Sequence, residues 1–183
     1  MEIVWYTAMS MDGKLATAEH SLDFLDTIGQ SGDALTAFPT FYSSVDAIIV
    51  SAATLRWLVR GGHGWPHGEK PTWVVSHDAE LVASIGATPA PLRRVEGDLA
   101  VLVDEIRDSG AKRVWLSGGG DVAGQLLECD AIDTVDMTIA PVAVGAGPAL
   151  FGSRALALRP FHPESCQVIG GNAVRIVWRR VRS

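Results

Sequence analysis

The sequence predicts an α/β fold, a mixed but mostly parallel sheet flanked by helices. Three observations support this. Up to residue 129, short apolar strand-like runs alternate with amphipathic helical patterns. The clearest helical pattern leads straight into the buried-looking run Val114-Trp115-Leu116, the β-α-β alternation that places helices on the faces of a parallel sheet. Beyond residue 129 only strand-like segments remain, and the last two are separated by Gly170-Gly171-Asn172. Strands joined by so short a turn pair antiparallel.

Taken in order, strands are expected at residues 2–8, 46–51, 72–76, 113–117, 135–140, 166–169 and 173–181. Helical patterns fall at about 31–43, 53–59, 79–85, 98–109 and 121–129. The helix at 98–109 opens on Asp98, an N-cap residue type. It sets Leu99, Leu102, Val103 and Ile106 at i, i+3, i+4 and i+7, and it stops at Gly110. No internal repeat, low-complexity tract or linker interrupts the chain, so residues 1–183 are expected to form a single domain.

Composition excludes several functions. With 21 acidic and 15 basic residues the formal charge is −6, which argues against a nucleic-acid binder, since these carry a basic face. Cys129 and Cys166 have neither disulfide-framework nor zinc-ribbon spacing. The longest charge-free run, 137–153, contains Pro141, Pro148 and several glycines, which exclude a membrane helix. The N-terminus reads as a strand rather than a signal peptide, and a soluble, cytoplasmic protein is expected. An apolar content of 48% and a mean hydropathy of +0.20 are high for a monomer, so a homodimer built on the apolar C-terminal strands is expected as well.

The most informative segment runs from the strand Val114-Trp115-Leu116 through Ser117, Gly118, Gly119 and Gly120 into the helix opened by Asp121-Val122-Ala123. Glycines let a phosphate approach the backbone, and the free N–H groups of a helix start supply donors and partial positive charge. The competing reading is a plain strand-to-helix turn, for which three glycines in a row cost needless chain entropy. Gly118, Gly120 and Ala123 also satisfy a Rossmann fingerprint, but the next strand ends Thr138-Ile139-Ala140-Pro141 without the acid that such a fold requires. A second cue, Ala8-Met9-Ser10-Met11-Asp12-Gly13-Lys14-Leu15-Ala16, follows the first strand, where ligands of open α/β sheets bind. Taken alone, Asp12-Gly13 is simply a turn.

Together these segments resemble the dihydrofolate reductase-like superfamily. The resemblance rests on the Ala8–Ala16 opening, on Asp46-Ala47-Ile48-Ile49-Val50 leading to Thr54, and on Trp65-Pro66 leading to Pro71-Thr72-Trp73-Val74-Val75-Ser76. The glycine turn and Pro141-Val142-Ala143-Val144-Gly145-Ala146-Gly147 complete it. Within the superfamily the chain is most similar to stand-alone relatives of the C-terminal reductase domain of the bifunctional riboflavin-biosynthesis deaminase-reductase.

The resemblance implies a three-layer fold with a nicotinamide dinucleotide, NADPH by family habit and NADH as the alternative, across the carboxyl ends of the strands. Ala8 and Leu15 would border the nicotinamide, Ser51 and Thr54 the pyrophosphate, and Ser76 and His77 the adenosine. Ser117, Gly118, Gly119, Gly120, Asp121, Val122 and Ala123 would surround the central phosphates, with Gly118-Gly119 a candidate cis peptide. Asp33 matches the acid that manages the substrate proton in folate reductases, though an exposed acid in a first helical turn reads equally well as a structural residue. Asp12, Phe41 and Thr138 are candidates on the substrate side; an outward-facing strand threonine and core aromatics are their competing readings.

The chain also departs from the family pattern. No arginine follows the second or third strand to hold a 2′-phosphate; only His77 or a shifted Arg56 stands nearby. The first helix lacks an arginine pattern for a ribose phosphate, and Phe38, Phe41 and Tyr42 suggest an apolar wall instead. His63, His67 and His77 do not form a metal set, because Gly64 and Pro66 break the helix that would align two imidazoles. The leading expectation is an NAD(P)H-dependent reductase of a small heterocyclic (pteridine- or pyrimidine-like) or carbonyl substrate. The alternative is a degenerate family member that binds a nucleotide or small ligand without turnover.

Overall fold

All the strands join one sheet, and the order in which they pair explains why the chain alternates as it does. The computed structural model describes residues 1–62 and 64–182. In chain order the elements are β1 (Glu2–Ser10), α1 (Gly32–Ser43), β2 (Ala47–Ser51), α2 (Ala52–Arg60), β3 (Thr72–Val75) and α3 (Ala79–Ala83). They continue with β4 (Leu92–Val95), α4 (Leu99–Asp108), β5 (Arg113–Gly118), α5 (Gly120–Glu128), β6 (Thr134–Ala140), β7 (Phe161–Ile169) and β8 (Ala173–Arg180). The sheet order is β4-β3-β2-β5-β1-β6-β8-β7. From β4 to β6 neighbours run parallel; β8 lies antiparallel to both β6 and β7.

The period-2 alternation of the strands divides the core into two layers. Ile3, Trp5, Ile49, Leu116 and Met137 pack with Leu102 and Ile106 of α4 and Leu126 of α5. Val4, Ile48, Val50 and Trp115 face the opposite way, against Phe41 of α1 and Leu55 of α2. Helices therefore cover both faces in three layers. α4 is capped as its sequence predicts, with the Asp98 carboxylate accepting from Ala100 N at 2.8 Å, and it buries the four apolar residues of its stripe.

Three features depart from the sequence reading. β4, Leu92–Val95, was not anticipated, because Pro91 precedes it and Arg93 and Arg94 occupy its centre; as an edge strand it buries little. β7 begins at Phe161 rather than 166. Pro163 hides it in the sequence, and the pairing register shifts between Pro163 and Ser165, as an edge position allows. The Gly118-Gly119 peptide is not cis: no described peptide is, and the strained turn is accommodated instead by φ of +98° at Gly119. Among the described residues no helix is long and apolar enough to cross a membrane.

Candidate functional site

A groove of about 1560 Å³ lies across the carboxyl ends of the parallel strands. Its middle is built by two helix starts. β2 ends at Ser51, whose hydroxyl accepts from Thr54 N (3.2 Å) and caps α2. β5 runs through Gly118 into Gly119, the N-cap of α5, which has no side chain to offer. The first N–H groups of α5 therefore lack a side-chain cap and stand next to the start of α2, so that two positive dipole ends converge.

The three glycines each answer a different close approach. A Cβ on Gly119 would lie 2.4 Å from Cβ and Oγ of Ser51. One on Gly118 would lie 2.8 Å from Thr54 Oγ1, and one on Gly120 2.4 Å from the carbonyl oxygen of Ala149. Only bare backbone lets α5 begin this close to both neighbours.

One end of the groove is held by two interlocked loops. Asp12 accepts from Ser10 Oγ (2.6 Å), Val144 N (3.0 Å) and Gly145 N (2.7 Å). These donors, the Ser10 hydroxyl first, hold its carboxyl down at about 2. Leu15 N donates to Pro148 O, and a Cβ on Gly147 would sit 2.0 Å from Ala16 O. Asp12 is thus a clasp between loops, and Leu15, Ala16, Pro148 and Ala149 line the groove beside it.

The other end lies between α2 and the ends of β3 and β4. Arg56 Nη2 stands 3.2 Å from Asp78 Oδ2, and Asp78 also accepts from Leu81 N as the cap of α3. His77, 87% exposed, places Nδ1 3.3 Å from Glu96 Oε1. Arg94 donates to the Ser76 carbonyl (3.3 Å) and pairs with Glu96.

Under α1 the sheet has a different character. Tyr6 stacks on Phe41 at 4.4 Å, and Phe38, Tyr42 and His67 pack around Trp115. Beside them Arg175 makes a bidentate pair with Asp136, Nε to Oδ1 at 2.7 Å and Nη2 to Oδ2 at 2.6 Å, and its guanidinium lies 5.6 Å from the Tyr6 ring centroid. Burial pushes the Tyr6 phenol up, whereas the hydrogen bonds to Asp136 raise the Arg175 guanidinium further. Thr138, buried, is in register with Ala8 on one side and Arg175 on the other.

The groove gathers Leu15, Ser51, Thr54, Ser76, His77, Gly119, Gly120, Asp121 and Val122. It does not gather the other candidates. Ala123 is wholly buried against the core of α4 and α5, and Phe41, 5% exposed, is core under α1 rather than a wall. Ala8, Ser117, Gly118 and Thr138 lie in the strands behind the groove. Asp33 is exposed at the start of α1, where it accepts from Ser31 Oγ, Ala34 N (2.9 Å) and Gly170 N (3.3 Å). The Ser31 hydroxyl holds its carboxyl below the usual range. His63 lies outside the described residues. Trp57, Arg60, Glu96 and Ala149 also line the groove and are not among the site residues expected from the sequence. The Asp136–Arg175 pair was likewise missed, although an acid centred in an apolar strand was a legible signal.

With this geometry in view, comparison with known proteins is decisive. Residues 2–174 match the family model of the RibD C-terminal domain. The chain belongs to that family. It is 29% identical over 153 residues, 81% of either chain, to the uncharacterized protein YwjB of Bacillus subtilis (strain 168). RibD-type folds recur among solved structures. A candidate riboflavin biosynthesis protein from Shewanella sp. PV-4 superposes with a TM-score of 0.83 at 23% identity, covering 100% of both chains. A pyrimidine reductase-like protein from Corynebacterium diphtheriae gives 0.73 at 15% identity, over 100% of this chain and 92% of that one. The Thermotoga maritima diaminohydroxyphosphoribosylaminopyrimidine deaminase/5-amino-6-(5-phosphoribosylamino)uracil reductase gives 0.74 at 13% identity. The match to the last covers 98% of this chain but 56% of that one, so the likeness is to one part of that bifunctional protein.

Proposed function

We propose that this protein is an NAD(P)H-dependent reductase of a small planar heterocyclic or carbonyl substrate that carries no phosphate. The observation that carries the reading is the paired start of α2 and α5 at Gly118–Gly120. Side chains are excluded there by contacts of 2.4–2.8 Å, and helix-start N–H groups without a side-chain cap stand at a groove of about 1560 Å³, roomy enough for a dinucleotide. These donors suit a diphosphate without any cation, which also accounts for a binding site on an acidic chain.

When bound, the nicotinamide supplies the hydride. The protein's part is positional. Gly119–Val122, with Ser51 and Thr54, hold the diphosphate. The Asp12 clasp fixes the Leu15 and Pro148 loops that border the reacting ring. We assign the substrate to the side of Ala8 and Thr138 on β1 and β6, where the half-buried rings of Tyr6, Phe38 and Tyr42 and the Arg175 guanidinium favour a flat molecule with an acceptor group. No cluster of arginines on α1 meets it, which is the reason to exclude a ribose phosphate. Calorimetric titration with NADH and NADPH tests the nucleotide site, and transfer of labelled hydride to pteridines, pyrimidines and carbonyl compounds tests the chemistry. Absence of saturable binding by either dinucleotide would sink the reading.

The second reading, a binder without turnover, draws on Asp33, whose carboxylate is engaged at the outer end of α1 and is not among the groove-lining residues. Nucleotide binding without hydride transfer to any of these substrates would favour it. A homodimer remains part of the proposal, with β7 as the unpaired edge of the sheet; a light-scattering mass of 19.5 kDa would refute it.

A further inference from the structure

The end of the groove between α2, β3 and β4 carries a second conclusion, which rests on the dinucleotide reading above. With the diphosphate at the paired helix starts and the nicotinamide at the Asp12 clasp, the other nucleoside falls at this end, among Arg56, Arg60, Ser76, His77, Asp78 and Glu96. The Arg56 guanidinium is already engaged by Asp78, which is fixed in place as the cap of α3. Arg94 is bound to the Ser76 carbonyl and to Glu96, and Glu96 is also beside His77. Arg60 has no carboxylate partner among the described residues, but it is exposed at the last position of α2, where the helix end is negative. Along the whole groove, Glu19, Asp23, Asp78, Glu96 and Asp121 stand against Arg56 and Arg60.

We propose that this groove selects NADH over NADPH, with Asp78 and Glu96 setting the preference. A 2′-phosphate brings up to about two further negative charges to a place where Arg56 and Arg94 already serve carboxylates and Arg60 stands at the negative end of α2. It must either displace Asp78 from Arg56 or sit beside two ionised acids, and like charges so placed lose affinity. A ribose with free 2′- and 3′-hydroxyls makes the opposite demand: it donates hydrogen bonds, and carboxylates accept them, as acids do at the ribose of other dinucleotide folds.

The test is calorimetric titration of the intact chain with NADH and with NADPH at fixed salt, repeated on Glu96→Gln and on the Asp78→Asn/Glu96→Gln double variant. Asn keeps the cap on α3, and Glu96 is a half-exposed side chain whose replacement leaves the backbone alone. NADH is expected to bind at least about tenfold more tightly than NADPH to the native chain. In the double variant the ratio is expected to shrink through a gain in NADPH affinity. Equal or tighter binding of NADPH by the native chain overturns the proposal while leaving the dinucleotide reading intact, and so does a ratio that neither variant moves. Binding of neither dinucleotide overturns both.

Discussion

The groove and the face under α1 belong to one sheet, yet they are made of opposite materials. The groove is shaped by what is missing: Gly118, Gly119 and Gly120 bring two helix starts together, and backbone N–H groups provide the charge. The face under α1 is shaped by bulk, with Tyr6, Phe38, Phe41, Tyr42 and Trp115 packed around a buried ion pair. Backbone donors serve any anion of the right shape and are indifferent to the rest of the ligand. Packed rings and a fixed guanidinium have a definite shape and admit few partners. Under the proposed function, the division gives the common dinucleotide to the backbone donors and the substrate to the side chains.

The strongest way to break this contrast is at the ion pair. Asp136 is 6% exposed, so Arg175→Met leaves a buried carboxylate without its partner. A loss of about 3–5 kcal/mol in urea unfolding is expected, with dinucleotide affinity of the still-folded fraction unchanged. Replacing both members, Asp136→Leu with Arg175→Met, should recover most of the loss. If the double variant is as unstable as the single one, the pair is not an isolated charge couple but part of a wider network under α1.

Gly119→Ala probes the other material. Its φ of +98° and the 2.4 Å approach to Ser51 oblige the start of α5 to move. Stability should fall by about 1–3 kcal/mol, less than at the ion pair, and here the dinucleotide affinity should fall with it. Calorimetry on folded variant protein at low temperature separates the two effects. Unchanged affinity would mean that the glycines serve packing alone.

How much of each region could be read from the sequence follows from these materials. Three consecutive glycines between a strand and a helix are rare enough to announce a close approach, so the centre of the groove was legible. So were β5, α4 and the antiparallel tail, where period and capping agree with the tertiary outcome. The face under α1 was not. Phe41 and Tyr42 look the same in sequence whether they wall a site or fill a core, and Arg175 meets Asp136 only because β8 pairs with β6 in one register. Glu96 escaped for a similar reason, since it directly follows β4, an edge strand whose arginines and preceding proline mask its pattern.

Asp12 offers a milder test, confined to the clasp. Its folded carboxyl sits at about 2, below the ordinary 3.8, so its contribution is complete above pH 3.8 and is lost as pH falls through 2. The amides of Val144 and Gly145 should lose hydrogen-exchange protection over that window while those of β5 keep theirs. Asp12→Asn should show the same local loosening at neutral pH, with weaker binding of dinucleotide at the Leu15 end. If exchange at Val144 and Gly145 ignores both the acid and the substitution, the clasp is held by the Met11–Val142 and Leu15–Pro148 backbone bonds.

The smallest effect is expected at Asp33, and its smallness is informative. The matching acid of folate reductases handles a proton, but here the carboxylate is spent on Ser31, on Ala34 N and on Gly170 N in the β7–β8 turn. These bonds anchor the outer end of α1 and leave nothing pointed at the groove. Asp33→Asn keeps an acceptor oxygen for the same amides, so the pH profile of kcat/KM on any substrate found should be that of the native chain. A loss of activity that deepens with rising pH, as the supply of solvent protons falls, would restore Asp33 to the reaction. It would also show that the face under α1 opens in solution far enough for its outer end to reach the substrate, which the packing of Phe38 and Phe41 beneath that helix now argues against.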